Sequence, residues 1–592
     1  MPKVQDADLL QLGGLNSGPP ASNIDDTEFS VLENWLPMAR GRIKTRPGTV
    51  KLTSTAYGEA VTSLFPYSPT TGSWTLIAGT VSGLAKLSGT ELVAIPKSGA
   101  AYASTNSPWR HRQYKDILYS VREGVGVMQR SDGSYSGDAG IDAPTTAPTV
   151  ADGGAGNLGA GDYTWVYTYY NEATGQESNY SPASSALTLA ASHKASLSAI
   201  VPSTNVQVTH IRIYRSLVNQ EGAYFFSGQI IASATTYEDN VAQSSLDTRA
   251  STGNGVPPSS THLIEIFGER IWLSDGTSVY FSELGMGESF RSTSVINVFP
   301  DDGHTVRVLH AFGARLIVGK SNSVHYITGT DRESFAVTTL ADRDGCPAGD
   351  SMASGSGYLF WFTGTKVIQS QGSGVRDIST PFIEDLLARI PTAYYHKIRG
   401  QVNTKLSLYV LDVPLDDATS NTHRLVFNYE SNRWATFRYN SGTEAPSVSQ
   451  LMYDSDGKEV LYGTFPSTTG HVYDLLSGTT DDGTAFDCTW RTKAFMFQAP
   501  GRVHGVRSLS VLTSPAVGAS MTFSVFQNHS TTAYKSRIVS IDSDGWKRIN
   551  LSTMGKLSSL TQFQGVYSGE EEVTMLALAT KLVGFMRRPV VL

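Results

Sequence analysis

Apolar and polar residues alternate in short runs along much of the chain, and the clearest runs recur at a fixed distance. Ile264-Glu265-Ile266-Phe267-Gly268-Glu269-Arg270-Ile271 is answered 45 positions later by Leu309-His310-Ala311-Phe312-Gly313-Ala314-Arg315-Leu316. Val279 and Phe281 return at the same offset as Val324 and Tyr326. A period of two places successive side chains on opposite faces, so each run reads as a strand and the glycine between two runs as a turn. A third copy follows at Gly357 to Phe362, then Lys366 to Gln369. Several short strands per repeat of ~40–50 residues predict a β-propeller, because sheets ranged around one axis bury faces that no single sheet buries alone.

Weaker copies extend the series. Trp74 to Gly79 with Gly83 to Leu87, and Ile117 to Ser120 with Val125 to Met128, lie upstream. Leu406 to Val410 with Leu425 to Tyr429, and Val460 to Gly463 with Val472 to Leu475, lie downstream. The expectation is a body of about seven blades, two before residue 140 and five after 260. Residues 143–258 interrupt it between two Pro/Gly-rich boundaries, and Tyr163-Thr164-Trp165-Val166-Tyr167-Thr168-Tyr169 alternates as a sandwich strand does. A fibronectin-III-like sandwich inserted between blades is predicted there. From about Gly483 the blade pattern stops, and Val506 to Val511 and Met521 to Phe526 read as strands of a C-terminal β domain. The organisation expected is therefore a segment over 1–58, blades over 59–142 and 259–482, the insertion, and a terminal domain over 483–592.

Two helices are predicted within this all-β class. Thr380 suits an N-cap, Pro381 the first helical position, and Phe382, Ile383, Leu386, Leu387 and Ile390 one apolar stripe, giving a short helix over 381–390. A second is expected over Asp25 to Leu36, acidic at its start and stopped by Pro37.

Composition narrows the function. Charged residues make up 17% of the 592, against an average near ~25%, and 56 glycines without a period exclude collagen and coiled coil. The net charge of −7 argues against tight gripping of phosphates, which needs clustered Lys and Arg. Cys346 and Cys488 cannot make a disulfide framework or a four-cysteine zinc site, and read as buried thiols. The first residues, Met1 to Asp6, do not read as a secretory signal, and no window reaches ~18 apolar residues, so no membrane span is expected.

The segment with the most specific residues is the first. Leu12-Gly13-Gly14-Leu15-Asn16, then Pro19, Ile24, Glu28 and Asn34, lead to Gly41-Arg42-Ile43-Lys44-Thr45-Arg46-Pro47-Gly48. This opening resembles that of the tail nozzle proteins of short-tailed bacteriophages, also called tail tubular protein B or head-to-tail stabilisation protein. The resemblance covers about the first fifty residues by motif and the remainder by architecture. It implies a structural virion protein without catalytic residues, metal or cofactor, made in the host cytoplasm and located in the virion tail. It also implies a homo-hexameric ring beneath a dodecameric adaptor of the portal complex, with tail fibres or spikes as partners. The ring would hold back the packaged genome and pass DNA through its bore during ejection, without sequence-specific binding.

Within that picture Gly13, Gly14, Asn16, Asn34, Gly41, Arg42, Lys44, Arg46, Pro47 and Gly48 are the candidate assembly residues. Arg42, Lys44 and Arg46 alternate, so on an extended strand they share one basic face that an acidic partner would fit. Asp301, Asp302, Asp416 and Asp417 are candidates for an acidic bore that phosphates slide past, with Glu570-Glu571-Glu572 also in a loop.

Propellers also host enzymes. Ser540-Ile541-Asp542-Ser543-Asp544-Gly545-Trp546 resembles a sialidase Asp box but has Asp544 where glycine belongs. Asp454-Ser455-Asp456-Gly457 resembles the start of a calcium loop without its downstream glutamate. The twelve histidines show no metal spacing, and neither a nucleophile elbow nor a phosphate-binding loop is present. The alternative reading is a carbohydrate-binding or carbohydrate-cleaving propeller of a phage tail, using Tyr163, Trp165, Tyr167 and Tyr169 as a sugar platform. A third is a scaffold propeller that binds peptides.

Overall fold

The computed structural model describes residues 4–9, 12–70, 74–454, 457–496, 503–514, 516–543, 545–553 and 558–585. Met1 to Lys3, Ser455, Asp456 and Asp544 of the stretches above lie outside them. The chain is nearly all β. Among the described residues, six antiparallel four-stranded sheets span residues 61–94, 110–138, 263–296, 306–342, 353–377 and 448–474, the last completed by Val50–Lys51. A seventh unit, strands Arg399–Asn403, Leu408–Val413, His423–Asn428 and Arg433–Phe437, begins a nine-stranded sheet.

The first strands of these units touch in succession. Val61–Tyr67 packs on Arg110–Tyr114, that on Leu263–Phe267, and that on Val306–Phe312. The turn Gly349–Ser351 bridges Val306–Phe312 to Arg399–Asn403, which contacts Val448–Tyr453, and Val448–Tyr453 returns to Val61–Tyr67. The circle is closed, which defines a propeller.

The repeat seen in the sequence is the hairpin joining the first two strands of a unit. Phe267 pairs with Arg270 and Phe312 with Arg315, each across a two-residue turn. Gly268 and Gly313 sit at φ 57° and 58°, where a side chain is disfavoured and the turn matches the twist of its strands. The second strand of each unit reads as a continuous apolar run rather than an alternation, because both its faces are covered. Leu316 and Val318 pack with Trp272 and Phe281 of the preceding sheet, while Ile317 packs with Leu359 and Trp361 of the next.

Residues 149–239 fold as two sheets facing each other, Thr149–Leu158 with His193–Ser198 and Tyr237–Asp239 against Trp165–Tyr170 with His210–Ser216 and Tyr224–Ile231. Their core joins Leu158 and Leu197 to Tyr163, Trp165, Tyr167, Tyr169, Ile211 and Ile213. All four aromatics proposed as a sugar platform are buried here and present no ring face to solvent.

The chain ends do not follow the expected boundaries. Phe29–Glu33 lies between Arg433–Phe437 and Phe486–Thr492 in the nine-stranded sheet, and the hairpin Trp35–Met38/Arg42–Thr45 pairs with Thr574–Phe585. Val4–Leu9 also pairs with that C-terminal strand. Among the described residues, the strands of the first fifty are thus part of the C-terminal β layers, and Val50–Lys51 is part of the last propeller sheet.

The helix expected over Asp25 to Leu36 is instead two strands, Phe29–Glu33 and Trp35–Met38. Phe29, Leu32, Trp35 and Leu36 have helical spacing, but Asn34 at φ 61° breaks the run and pairing with Phe486–Thr492 takes its backbone groups. The helix over 381–390 is shorter than expected, Glu384–Ala388, with no side-chain cap from Thr380. Its stripe still buries Ile383, Leu386, Leu387 and Ile390. Cys346 and Cys488 are free and buried, and burial pushes the Cys346 thiol up to about 12. Among the described residues no helix is long and apolar enough to cross a membrane.

Candidate functional site

The N-terminal motif is built into a junction rather than displayed. The strand Arg42–Thr45 ends before Arg46, and there the chain turns inward. Arg46 has no exposed side-chain surface and Asp481, its partner, only 3%. Its Nη1 and Nη2 donate to the two Asp481 oxygens at 2.8 and 2.7 Å, and its Nε donates to Asn34 Oδ1 at 3.0 Å. The same nitrogens donate to the carbonyls of Pro47 and Arg438 at 2.9 Å each. Phe486 and Tyr439 cover the two faces of the guanidinium, with ring centroids 3.6 and 4.2 Å away. Such a planar fork meets a carboxylate with both arms, which a lysine cannot do.

Asn34 completes the junction. Its Oδ1 also accepts from the Arg438 amide at 2.9 Å, and its Nδ2 donates to the Asp487 carbonyl at 2.7 Å. Gly48 runs against the backbone at Thr480, whose oxygen would stand 2.1 Å from a Cβ. Gly13 and Gly14 are similarly pressed, against Thr27 and Arg433, and Gly41 closes a turn at φ 70°. Asn16 Nδ2 donates to Glu28 at 2.7 Å. Of the motif's basic residues at 42, 44 and 46, only Arg42 and Lys44 remain at the surface. The shared basic face holds only for those two. Arg42 is exposed and Lys44 meets Glu572 at 2.6 Å, whereas Arg46 points the other way.

The acidic candidates are all exposed. Asp302 pairs with Lys320 at 2.6 Å and Asp416 with Arg389 at 2.8 Å, while Asp301 and Asp417 lie beside them in the same loops. None of the four lines the axial channel of the single subunit, which is a different passage from a bore enclosed by several copies.

That channel was not singled out from the sequence. It encloses about 480 Å³ and is lined by the first strands of all seven units. Arg110 grips Asp350 through Nε and Nη2 at 3.2 and 3.0 Å, and Arg399 Nη1 reaches the other oxygen at 3.2 Å. Further along, Arg112 holds Glu265 with both arms, at 2.6 and 2.7 Å, and His310 meets Ser354 at 2.8 Å. Burial alone would raise the Asp350 carboxyl, but Arg110 and Arg399 outweigh it and hold it below the usual range. Glu265 is lowered in the same way by Arg112 against its own burial. The signal was present in Trp109-Arg110-His111-Arg112, which sets two guanidiniums on one face of a strand.

Between the first two units His111 lies buried between Ser63 and Ser120, 2.8 Å from each. Burial, with Arg112 nearby, pushes its pKa down to about 3. A neutral imidazole presents one donor and one acceptor nitrogen, and two hydroxyls, each able to donate or accept, suit either tautomer. Among the described residues no three His, Cys, Asp or Glu side chains are grouped to hold a metal ion.

No family model matches the chain, and no curated protein matches it. Among solved structures it is similar to a computationally designed protein, Ika8, at 11% identity and a TM-score of 0.33, covering 72% of this chain and 100% of that one. It is also similar to the extracellular domain of a putative one-component system from B. thetaiotaomicron, at 9% identity, a TM-score of 0.26 and coverage of 93% and 98%. The Neurospora crassa Pan2 WD40 domain follows at 8% identity, a TM-score of 0.25 and coverage of 72% and 95%. The fold itself is defined by the sheet order and the circle of inner-strand contacts.

Proposed function

We propose that this chain is a structural subunit of a short-tailed phage tail, a nozzle protein that assembles as a hexameric ring below the portal adaptor. The observation that carries the reading is the motif of residues 12–48, in which Asn34 and Arg46 form one buried junction with Asp481 and in which Gly13, Gly14 and Gly48 lie close against neighbouring segments. Asn34 and Arg46 of that motif help to join the propeller to the terminal sheets. On this reading the subunit's own axial channel is not the DNA path, because arginine–carboxylate pairs occupy it. The path lies between copies. The carbohydrate reading loses its platform, since the aromatics that motivated it are sandwich core.

The test is assembly. Purified chain is mixed with the portal–adaptor complex of its own phage and imaged by negative-stain microscopy. Six-fold density stacked on the adaptor with a central opening supports the proposal. Failure of the chain to bind the adaptor under conditions where the native tail forms removes it.

A further inference from the structure

The axial channel carries a charge imbalance. Three guanidiniums, Arg110, Arg112 and Arg399, face two carboxylates, Asp350 and Glu265. Arg112 and Glu265 satisfy each other with two parallel bonds. Asp350 is shared, and Arg110 takes both its oxygens, at 3.0 and 3.1 Å from Nη2. Arg399 is left with one contact to it, at 3.2 Å, and its Nη1 donates otherwise to the carbonyls of His396 and Ile398. Among the described residues Nε and Nη2 of Arg399 have no acceptor. Asp412, whose charge also acts on Arg399, is already held by Arg424 at 2.7 and 2.8 Å and by Ser449.

Arg399 is nonetheless 85% covered, its side chain only 15% exposed. Its Nε and Nη2 are left to the open channel without an acceptor among the described residues, and a guanidinium edge presented in this way is the geometry that takes an oxyanion with two parallel bonds. The channel leaves room for one, since about 480 Å³ falls within the ~300–1,000 Å³ of small-molecule sites. Gln401 and Gln450 also line it and add amide groups that can fix an orientation.

We propose that the axial channel binds a small oxyanion, a carboxylate or phosphate group, seated on the unused edge of Arg399 with Arg110 and Arg112 alongside. The inference does not depend on the nozzle reading, since it concerns the interior of one subunit. A bound anion would tie together strands from opposite sides of the ring and stiffen it.

The experiment uses the full chain in chloride buffer at constant ionic strength, titrated calorimetrically with inorganic phosphate and, separately, with acetate. Saturable binding of one equivalent is expected, and whichever probe binds more tightly identifies the class. Arg399→Gln should weaken it at least about tenfold, the loss expected for hydrogen bonds to a charged group. Arg42→Gln, on the outer surface, should leave it unchanged. Absence of saturable binding by both probes overturns the proposal, as does equal binding by Arg399→Gln. Should that variant not fold, crystals of the unaltered protein soaked in selenate decide the matter. An anomalous peak within hydrogen-bonding distance of Arg399 upholds the site, and an empty channel or peaks only elsewhere overturn it.

Discussion

Replacing Arg46 by methionine removes the donor around which the N-terminal junction is organised. Methionine fills similar volume between Phe486 and Tyr439, so the change is chiefly one of charge and hydrogen bonding. Five acceptor contacts lose their partner at once: both oxygens of Asp481, Asn34 Oδ1, and the carbonyls of Pro47 and Arg438. Asp481 is then a carboxylate with 3% exposure and no counter-ion. Breaking one side of such a pair costs about 3–5 kcal/mol, and that is the destabilisation expected for Arg46→Met. Arg46→Lys keeps the charge but cannot reach all five acceptors, and should cost about 1–3 kcal/mol. The double variant Arg46→Met/Asp481→Leu leaves no buried charge and should recover most of the loss, because apolar replacement of a whole buried pair is often neutral.

A chain of this size need not unfold in one step, so a single global midpoint is a poor readout. Amide hydrogen exchange read locally over residues 42–51 and 481–492 reports the junction itself. In Arg46→Met those segments should exchange faster by the factor equivalent to the lost free energy, about tenfold per 1.4 kcal/mol, while residues 306–342 on another part of the ring stay protected. Two results would refute the reasoning. One is a change in Arg46→Met below about 1 kcal/mol, no more than an exposed pair is worth. The other is a double variant no better protected than the single one.

Gly48→Ala would set a Cβ 2.1 Å from the Thr480 carbonyl, costing about 1–3 kcal/mol and loosening the pairing of Lys51 with Tyr473. Exchange at Tyr473 and Asp474 measures it, and Gly126→Ala, with nothing within 4 Å, is the control expected to be silent. In the inserted sandwich, Arg215 and Asp239 pair at 2.9 Å with no exposed surface, and Trp165 Nε1 donates to the same oxygen at 2.7 Å. Arg215→Met should cost about 3–5 kcal/mol and open residues 149–239 to limited proteolysis while the ring stays intact. The pH dependence follows from His111. Its folded pKa of about 3 lies below the unfolded value near 6.5, so between them the unfolded chain binds the extra proton. Its contribution is complete above about pH 6.5 and is lost as pH falls toward 3, with a slope of up to about 1.4 kcal/mol per pH unit. Amide exchange over residues 61–67 and 110–121, read from pH 7 to 4 and corrected for intrinsic rates, should show His111→Gln losing less protection than the unaltered chain, and parallel losses would contradict it.

Hairpins were the legible part of the fold. A two-residue turn with glycine at positive φ leaves a local mark, and the copies at Gly268 and Gly313 carry it in nearly identical surroundings. What pairs across the chain leaves none. Nothing in Val50–Lys51 announces that it closes a sheet with Tyr473–Asp474, and nothing in Phe29–Glu33 announces Phe486–Thr492 as its neighbour. Residues 25–36 show the same dependence on pairing outside the local window. Their apolar spacing suits a helix, and it takes the pairing of Phe29–Glu33 with Phe486–Thr492, more than four hundred residues away, and of Trp35–Met38 with Arg42–Thr45 to turn them into strands. The channel charges were illegible for the same cause, since Arg110 and Asp350 are separated by 240 positions and meet only because the ring closes.

Arg46 shows how far a motif can mislead about what it is for. Alternation alone placed it beside Arg42 and Lys44 on a face ready for a partner. The strand stops at Thr45, and beyond a strand end the period of two no longer governs where a side chain points. What governs it then is which burial is less costly, and a guanidinium offered a buried carboxylate, an amide oxygen, two carbonyls and two ring faces is stable inside. A consequence follows for assembly. With Asn34 and Arg46 buried at the junction, the motif's basic residues at the surface are Arg42 and Lys44, and Lys44 is already paired to Glu572. Contacts with other subunits on the proposed reading must therefore come from surfaces the motif supports rather than from the motif itself. Charge reversal of Arg42 should then change assembly less than loosening the junction through Arg46 does, which ring formation on the adaptor would reveal.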